Sequence, residues 1–524
     1  MNMKFIRTLA IAMLASILWG CDKTQNENTE TPNESVVTPL PGKELYGQVR
    51  DSDGNPVKGV VVSDGFTCAV TTNNGVYRLA RNPEAEFVYY SVPSEYEVPT
   101  EEGSSIVKFY EKLPAEQGEH RQDFILEKKS YETRFRMIVV GDPQVKSMAS
   151  LERFKNETIT AINETIGKSG NLPCYIISTG DNFESNHHDD GLYLANVKEV
   201  MGGTLCPFFV INGNHDKDAG KGDAATEHKD CFGPMNYSFN IGGAHFVCLD
   251  NIRFSNDTDY STGFTDAQIE WLEQDLKTVS TSRILVLIMH APLRSNFTNK
   301  DAFWSLLQSF GEVHIFAGHT HDNENVTLKT PKEIYQHVHG TACGAWWKSD
   351  ICADGTPNGY AIYDFNGTQI EEWIYKATNH NEDFQLRLYR GDSSYGGAYG
   401  ATYQFGLSED YIVANVWNYD DAWKLEVYEN GIKTGEMVPF VPNSSNAHGN
   451  GNYVYDSWAV GMHMSYLSGG WSLYDADCSH LFQYKLKDKN AQVKVVAIDR
   501  FRNRYEQTEI LNTNEYDPGL TPKR

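Results

Sequence analysis

Gly213-Asn214-His215-Asp216 follows the apolar run Pro207-Phe208-Phe209-Val210-Ile211. A buried strand thus delivers an amide, an imidazole and a carboxylate to the point where the chain turns. Taken alone, these four residues also suit a polar turn. Four other apolar runs close in the same way. Gly141-Asp142-Pro143-Gln144 follows Met137 to Val140, Gly180-Asp181-Asn182 follows Tyr175 to Thr179, His290 follows Ile284 to Met289, and Gly318-His319-Thr320-His321 follows His314 to Ala317. Five consecutive strand ends that close on Asp, Asn, Gln or His describe one constellation rather than five turns.

The 524 residues exceed one ordinary core, so about two to four domains are expected. A formal charge of −25 argues against nucleic acid as a partner, because phosphate backbones are bound through an excess of Lys and Arg. The N-terminus reads as a targeting segment. Lys4 and Arg7 are basic, Leu9 to Trp19 is apolar, and Leu18-Trp19-Gly20-Cys21 resembles the bacterial lipobox. The apolar run is too short to span a membrane. Residues 1–20 are therefore expected to be a lipoprotein signal peptide, Cys21 the lipidated residue, and 21–43 a flexible, polar tether. An ordinary secretory signal with a chance cysteine is the alternative. The expected location is extracytoplasmic, facing the periplasm or the cell surface, with the membrane engaged only through the lipid. Eight further cysteines are present. The compartment permits disulfides, and Cys231 with Cys248 or Cys343 with Cys352 are candidate pairs. None has the spacing of a zinc knuckle.

Along the chain, residues 44–129 hold short strands with Gly/Asn/Pro turns and no amphipathic helix, the pattern of a small β-sandwich. The run from Val49 to Val60 resembles carboxypeptidase-regulatory-like modules, and a spacer or docking module is the expectation. From 130 to 378, apolar strands alternate with helical stretches: Leu151 to Ile166, Leu192 to Val200, Thr265 onward with a capping box, and Phe303 to Phe310. Tyr237 to Ile241 and Ala244 to Leu249 read as a hairpin through Gly242-Gly243. This is a layered α/β domain. Residues 379–524 read as a second β-rich domain, with Gly391 to Gly400 as a loop or boundary.

The polar groups sit at the C-terminal ends of strands, where open α/β sheets place their sites. Asp142, Gln144, Asp181, Asn214, His215, His290, His319 and His321 offer mixed oxygen and nitrogen donors with no thiolate, which suits Mn, Fe or Zn. The set is too large for one metal and right for two, with one carboxylate bridging. Two metals about 3.5–4 Å apart clamp a phosphoryl group and lower the pKa of a bridging water to about 7. That water becomes the nucleophile, so neither Ser nor Cys is required.

In this order, Asp-x-Gln, Gly-Asp-x, Gly-Asn-His-Asp, a lone His after a strand and Gly-His-x-His resemble the calcineurin-like metallophosphoesterase superfamily. The resemblance covers the middle half of the chain. It extends to a bacterial lipoprotein branch with added N- and C-terminal β domains, through Gly344-Ala345-Trp346-Trp347 and Asp354-Gly355-Thr356-Pro357-Asn358-Gly359-Tyr360. It implies a central four-layer α-β-β-α sandwich flanked by the two β domains. It also implies a dinuclear site at which a metal-bridging hydroxide hydrolyses a small organophosphate, mono- or diester. Asp142, Gln144 and His321 would hold the first metal; Asn214, His290 and His319 the second; Asp181 would bridge. His215 would protonate the leaving oxygen or stabilise the transition state, and Asp216 would orient its imidazole. Asn214 would also donate to a phosphate oxygen. Gln144 departs from the usual His and leaves the first metal's identity open. It also supports a rival reading, a surface binding lipoprotein with a degenerate site. A two-metal hydrolase of a non-phosphate bond is disfavoured by Gly-Asn-His-Asp. Trp346 and Trp347 read either as an aromatic wall for the organic part of the substrate or as core aromatics, and Trp417, Trp423, Trp458 and Trp471 pose the same choice. His187 and His188 lie in a polar loop, as substrate contacts or solvated residues; His337 and His339 read as structural.

Overall fold

A computed structural model describes residues 37–184, 191–330, 332–396, 402–448, 453–466 and 477–511. The expected signal peptide, Cys21, the tether up to residue 36, His187, His188 and Trp471 lie outside the described residues. Among the described residues no helix is long and apolar enough to cross a membrane.

The centre of the molecule is two packed sheets. The first contains β1 (Arg134–Val140), β2 (Cys174–Ser178) and β3 (Phe208–Phe209). The second begins with β4 (Tyr237–Ile241) and β5 (Ala244–Cys248), the expected hairpin, with Phe239 opposite Phe246. A small side hairpin, β6 (Ile252–Phe254) and β7 (Tyr260–Thr262), follows. The second sheet then continues through β8 (Ile284–Ile288), β9 (Val313–Ala317), β10 (Glu324–Lys329) and β11 (Glu333–Val338). The chain returns to the first sheet with β12 (Gly359–Asn366) and β13 (Gln369–Ala377). The strand orders are β3-β2-β1-β12-β13 and β4-β5-β8-β9-β11-β10.

The β1–β2–β3 and β5–β8–β9 neighbours are parallel, so their C-terminal ends gather on one edge of each sheet. Every residue of β2, β8 and β9 is buried, which is why these strands read as continuous apolar runs rather than alternating ones. Between the sheets, Met137, Val139, Ile177 and Phe209 meet Phe246, Val286, Ile288 and Phe316. The Phe209 and Phe239 rings stack there with centroids 3.8 Å apart. The outer face of the first sheet packs against a helical run from Met148 to Lys168 and against Leu194–Met201. The outer face of the second packs against Asp266–Leu276 and Lys300–Leu307. Thr265 and Gln268 cap the third helix reciprocally, as the sequence predicts. The layers are helix, sheet, sheet, helix.

The N-terminal strands form two small sheets, one around Leu45–Asp51 and one around Val61–Ser63 and Phe87–Tyr90. This unit, expected to be a spacer or docking module, packs directly on the sandwich. Its Val62, Val88 and Phe109 share one apolar core with Tyr237 and Phe239, and Tyr89 Oη donates to the Asn236 carbonyl at 2.8 Å. The Trp271 indole donates to Ser63 Oγ at 3.0 Å. The larger sheets of the C-terminal part are built around Tyr411–Asn415 and Val493–Ile498. It also holds a helix, Ser457–Tyr466, that periodicity does not reveal. Trp458, Ala459, Val460 and Met462 are all buried, so there is no polar face to set the phase. Within the stretch expected to be a loop, Ser394–Gly396 pairs with Thr402–Gln404. The eight described cysteines are unpaired, so neither candidate disulfide forms. Trp417, Trp423 and Trp458 are buried packing residues.

Candidate metal centre

The C-terminal ends of the parallel strands bring the predicted groups together. β1 delivers Asp142 and Gln144, β2 Asp181, β3 Asn214, β8 His290, and β9 His319 and His321. The backbone there is unusual. Asp142, Gln144, Asp181, His319 and His321 have φ of 38°, 38°, 50°, 74° and 58°, in the left-handed region. Each such non-glycine residue costs about 1–3 kcal/mol and persists only where its surroundings hold it. The glycines beside them leave room for no side chain. A Cβ on Gly213 would lie 2.1 Å from Asp181 Oδ1, and one on Gly318 would lie 2.2 Å from Asp142 Oδ2.

One cluster surrounds His290. Its Nδ1 donates to the Thr179 carbonyl at 2.8 Å, which leaves Nε2 to face inward. Nε2 lies 3.1 Å from Asp181 Oδ2, 3.0 Å from Asn214 Oδ1 and 3.1 Å from His319 Nδ1. Donor atoms of Asp181, His290 and His319 all fall within 4.8 Å of one another. Four such atoms that converge in a buried space repel unless a cation or a proton sits among them. Electrostatics shows the same demand. Burial opposes a charge on His290, yet the Asp181 carboxylate outweighs it and lifts the imidazole to about 9.

The second cluster is Asp142, Gln144 and His321. All three are buried. Gln144 Nε2 donates to Glu184 Oε2 at 3.1 Å, which fixes the amide, and its Oε1 has no partner. His321 turns Nε2 toward Asp142 Oδ1 at 3.6 Å, while its Nδ1 has no partner. An unpaired buried acceptor costs about 1–3 kcal/mol, so the Gln144 oxygen calls for a ligand. Asp142 takes the His319 amide at 3.0 Å on each oxygen, and burial pushes its carboxyl up to about 7. These oxygen and nitrogen donors, mostly buried and preoriented, suit a divalent metal.

The predicted Asp216–His215 pair does not form. Asp216 instead accepts four donors, the amides of Asn182, Phe183 and Gly213 and the Asn182 side chain, at 2.8–3.1 Å. It ties the loop after β2 to the loop after β3. Neighbours in sequence at such a turn diverge, and the backbone donors claim this carboxylate first. His215 Nδ1 meets Glu184 Oε1 at 2.8 Å. Burial disfavours the charged ring, but Asp181 and Glu184 together lift it to about 9. Glu184 was not among the sequence candidates; its one signal is a carboxylate three residues after Asp181 in a run that continues β2.

The two Trp residues separate. Trp346 stacks on the His321 ring, 4.4 Å between centroids and 24° between planes. Trp347 is buried and cannot reach a substrate. Its indole donates to the Pro143 carbonyl at 2.8 Å, and Arg153 lies over its ring, so it braces the Asp142–Gln144 turn. His337 is held by Asn325 and His314, and His339 by the Ala317 carbonyl and Tyr363, as structural residues. Two further supports were not read from sequence. Lys217 and Asp250 form a buried ion pair at 2.7 Å behind the Asn214 loop. Asp354 accepts from the Asn323 amide at 2.7 Å and meets His480 at 2.9 Å, which links the His319–His321 turn to the C-terminal domain.

Models of one family match three consecutive stretches. The N terminal of calcineurin-like phosphoesterase matches residues 43–129, calcineurin-like phosphoesterase residues 135–323, and its C terminal residues 336–505. Purple acid phosphatase 15 of Arabidopsis thaliana is 33% identical over 141 residues, which is 22% of this chain and 25% of the relative. The chain thus spans about a quarter of that relative's length. A dimetal phosphatase of Danio rerio is 13% identical, with a TM-score of 0.34 over 47% of this chain and 99% of that one. A 5'-nucleotidase of Candida albicans is 10% identical, with a TM-score of 0.33 over 70% of this chain and 91% of that one. Likeness at these scores says nothing about substrate. The three family matches run in order from residue 43 to residue 505, and the chain belongs to the calcineurin-like phosphoesterase family.

Proposed function

We propose that this chain hydrolyses a phosphate ester of a small organic alcohol, mono- or diester, with two divalent cations (Mn, Fe or Zn) held between Asp142, Gln144, Asp181, Asn214, His290, His319 and His321. The observation that carries this reading is the convergence of Asp181, His290 and His319, together with the unpaired buried oxygen of Gln144. Bound there, the cations would supply Lewis acidity toward the phosphoryl oxygens and toward water.

The chain's own residues do the rest. Asp181 would hold both cations. Asn214 presents Oδ1 to the His290 cluster, and its amide group is a donor for a phosphoryl oxygen. His215 is tied to Glu184 through Nδ1, so the Nε2 proton is the one available to the leaving oxygen. Glu184 holds that tautomer. Asp216 holds the loop instead. Trp346, stacked on His321, is an aromatic surface beside the site for an organic group.

Metal analysis of the purified protein, with hydrolysis of aryl phosphate mono- and diesters after add-back of Mn, Fe or Zn, tests the proposal. Roughly two metals per chain and a metal-restored rate are expected. No bound metal, with no hydrolysis under any addition, would return the binding-lipoprotein reading. From the Leu18-Trp19-Gly20-Cys21 sequence we also place the chain outside the cytoplasm on a lipid anchor. A Cys21→Ala protein should leave the membrane fraction; one that stays there would overturn the anchor.

A further inference from the structure

The two imidazoles at the centre of the His290 cluster are oriented by different partners. His290 gives its outer N–H to a backbone carbonyl and is fully buried. His319 turns Nδ1 toward His290 Nε2 at 3.1 Å, so its proton belongs on Nε2 when Nδ1 serves as the ligand. Nε2 meets Tyr260 Oη at 3.2 Å. The rings stand nearly edge to face, 5.9 Å apart and 75° between planes.

Tyr260 belongs to neither sheet of the sandwich. It opens β7 of the side hairpin, opposite Phe254, whose ring packs on it at 5.2 Å. The hairpin is anchored where it matters. The Gly263 amide donates to the Asn251 carbonyl at 3.0 Å, and Asn251 is doubly bonded to Ala291, the residue after His290. Tyr260 is 38% exposed. Its oxygen accepts the His319 proton, so its own O–H is left to donate elsewhere, and among the described residues no acceptor takes it. The phenol therefore has one side on a ligand imidazole and the other open to whatever enters the site.

We propose that Tyr260 is a positioning residue for His319 and a hydrogen-bond donor to the phosphoryl group of a bound substrate. Its oxygen fixes the Nε2–H tautomer, which keeps the Nδ1 lone pair on the metal, and its hydroxyl hydrogen meets a phosphoryl oxygen. The hairpin is thereby a working part of the site rather than a surface ornament. The inference rests on the two-metal reading above.

The test is Co²⁺ titration of the metal-free full chain, followed by visible absorbance and by competition with a chelator. Tyr260→Phe keeps the ring and loses the oxygen, so one of the two sites should weaken about 10- to 100-fold. The inhibition constant of inorganic phosphate should rise by a further factor of about 2–10. Phe254→Leu disturbs the hairpin without touching the hydroxyl and should leave both values within about twofold of the parent. Tyr260→Phe with unchanged Co²⁺ affinity overturns the inference, as does Phe254→Leu with an equal loss. His319→Ala separates the two readings. If it abolishes one site while Tyr260→Phe does not, only the tyrosine's role fails; if it binds two Co²⁺ as the parent does, the two-metal reading fails.

Discussion

Glu184→Gln is the most informative single change, because one carboxylate serves two parts of the site. Glu184 Oε1 takes His215 Nδ1 at 2.8 Å and Oε2 takes Gln144 Nε2 at 3.1 Å. An amide at this position has one oxygen and one NH₂. If the oxygen keeps His215, the NH₂ faces the Gln144 NH₂, and Gln144 must flip its own oxygen away from the metal pocket. If the oxygen keeps Gln144, His215 loses its partner. A hydrogen bond to a charged group contributes about 1.5–3 kcal/mol, so losing the His215 contact should lower kcat about 10- to 150-fold. The effect depends on the leaving group. Alkyl phosphates need the proton and should show the full loss, whereas aryl phosphates with acidic leaving groups should lose much less. The assay is kcat on one ester of each kind, with metal content measured on the same preparation. Asp216→Asn is the comparison. It should cost stability through the loop contacts, with no preference between leaving groups. Glu184→Gln within twofold of the parent on both esters, or Asp216→Asn with the leaving-group-dependent loss, would refute this reasoning.

Gly213→Ala should bring its methyl against Asp181, with a Cβ 2.1 Å from Oδ1, and lose bound metal measurably even where the protein folds. Lys217→Ala leaves the buried Asp250 carboxylate with Arg253 alone as its cation and should cost up to about 3–5 kcal/mol in denaturant unfolding at neutral pH. Burial opposes ionisation of Asp250, but Lys217 and Arg253 outweigh it and hold its carboxyl below the usual range. That contribution is present above the unfolded-state pKa of about 3.9 and fades as pH falls, so the gap between variant and parent should narrow toward acid. Trp346→Ala removes the ring stacked on His321 and should raise KM for aryl esters about 2- to 10-fold, with little change for a small alkyl ester.

What the sequence made legible follows from burial. β2, β8 and β9 are covered on both faces, so each appears as an apolar run, and the polar residue that ends the run is the residue at the sheet edge. The ligand candidates come together for that reason. Partnerships between loops were not legible. Asp216 is next to His215 in the chain, yet it turns to the Asn182, Phe183 and Gly213 amides, while Glu184 arrives from another strand end. Trp346 and Trp347 look equivalent in sequence. Two successive left-handed residues, with φ of 50° and 62°, send one to the site and the other under it. The helix at Ser457 is hidden by its uniform burial, and the fusion of the N-terminal sheets with the core is hidden because a shared core leaves no compositional mark.

Gln144 was the one residue whose sequence argued for a decayed site, and its surroundings argue the other way. Decay would relax the costly features first, since nothing would hold them. Instead, five ligand candidates keep left-handed backbones, each at about 1–3 kcal/mol. Gln144 itself is specified from both ends. Its nitrogen is claimed by Glu184, and only its oxygen is left buried and free. Glu184 also grips His215, so a single carboxylate connects Gln144 to the imidazole proposed as the leaving-group acid. A neutral oxygen at this position lowers the donor strength at that cluster. In exchange it supplies the N–H that orients Glu184, so the departure at 144 and the carboxylate at 184 form one adaptation and are expected to be lost together.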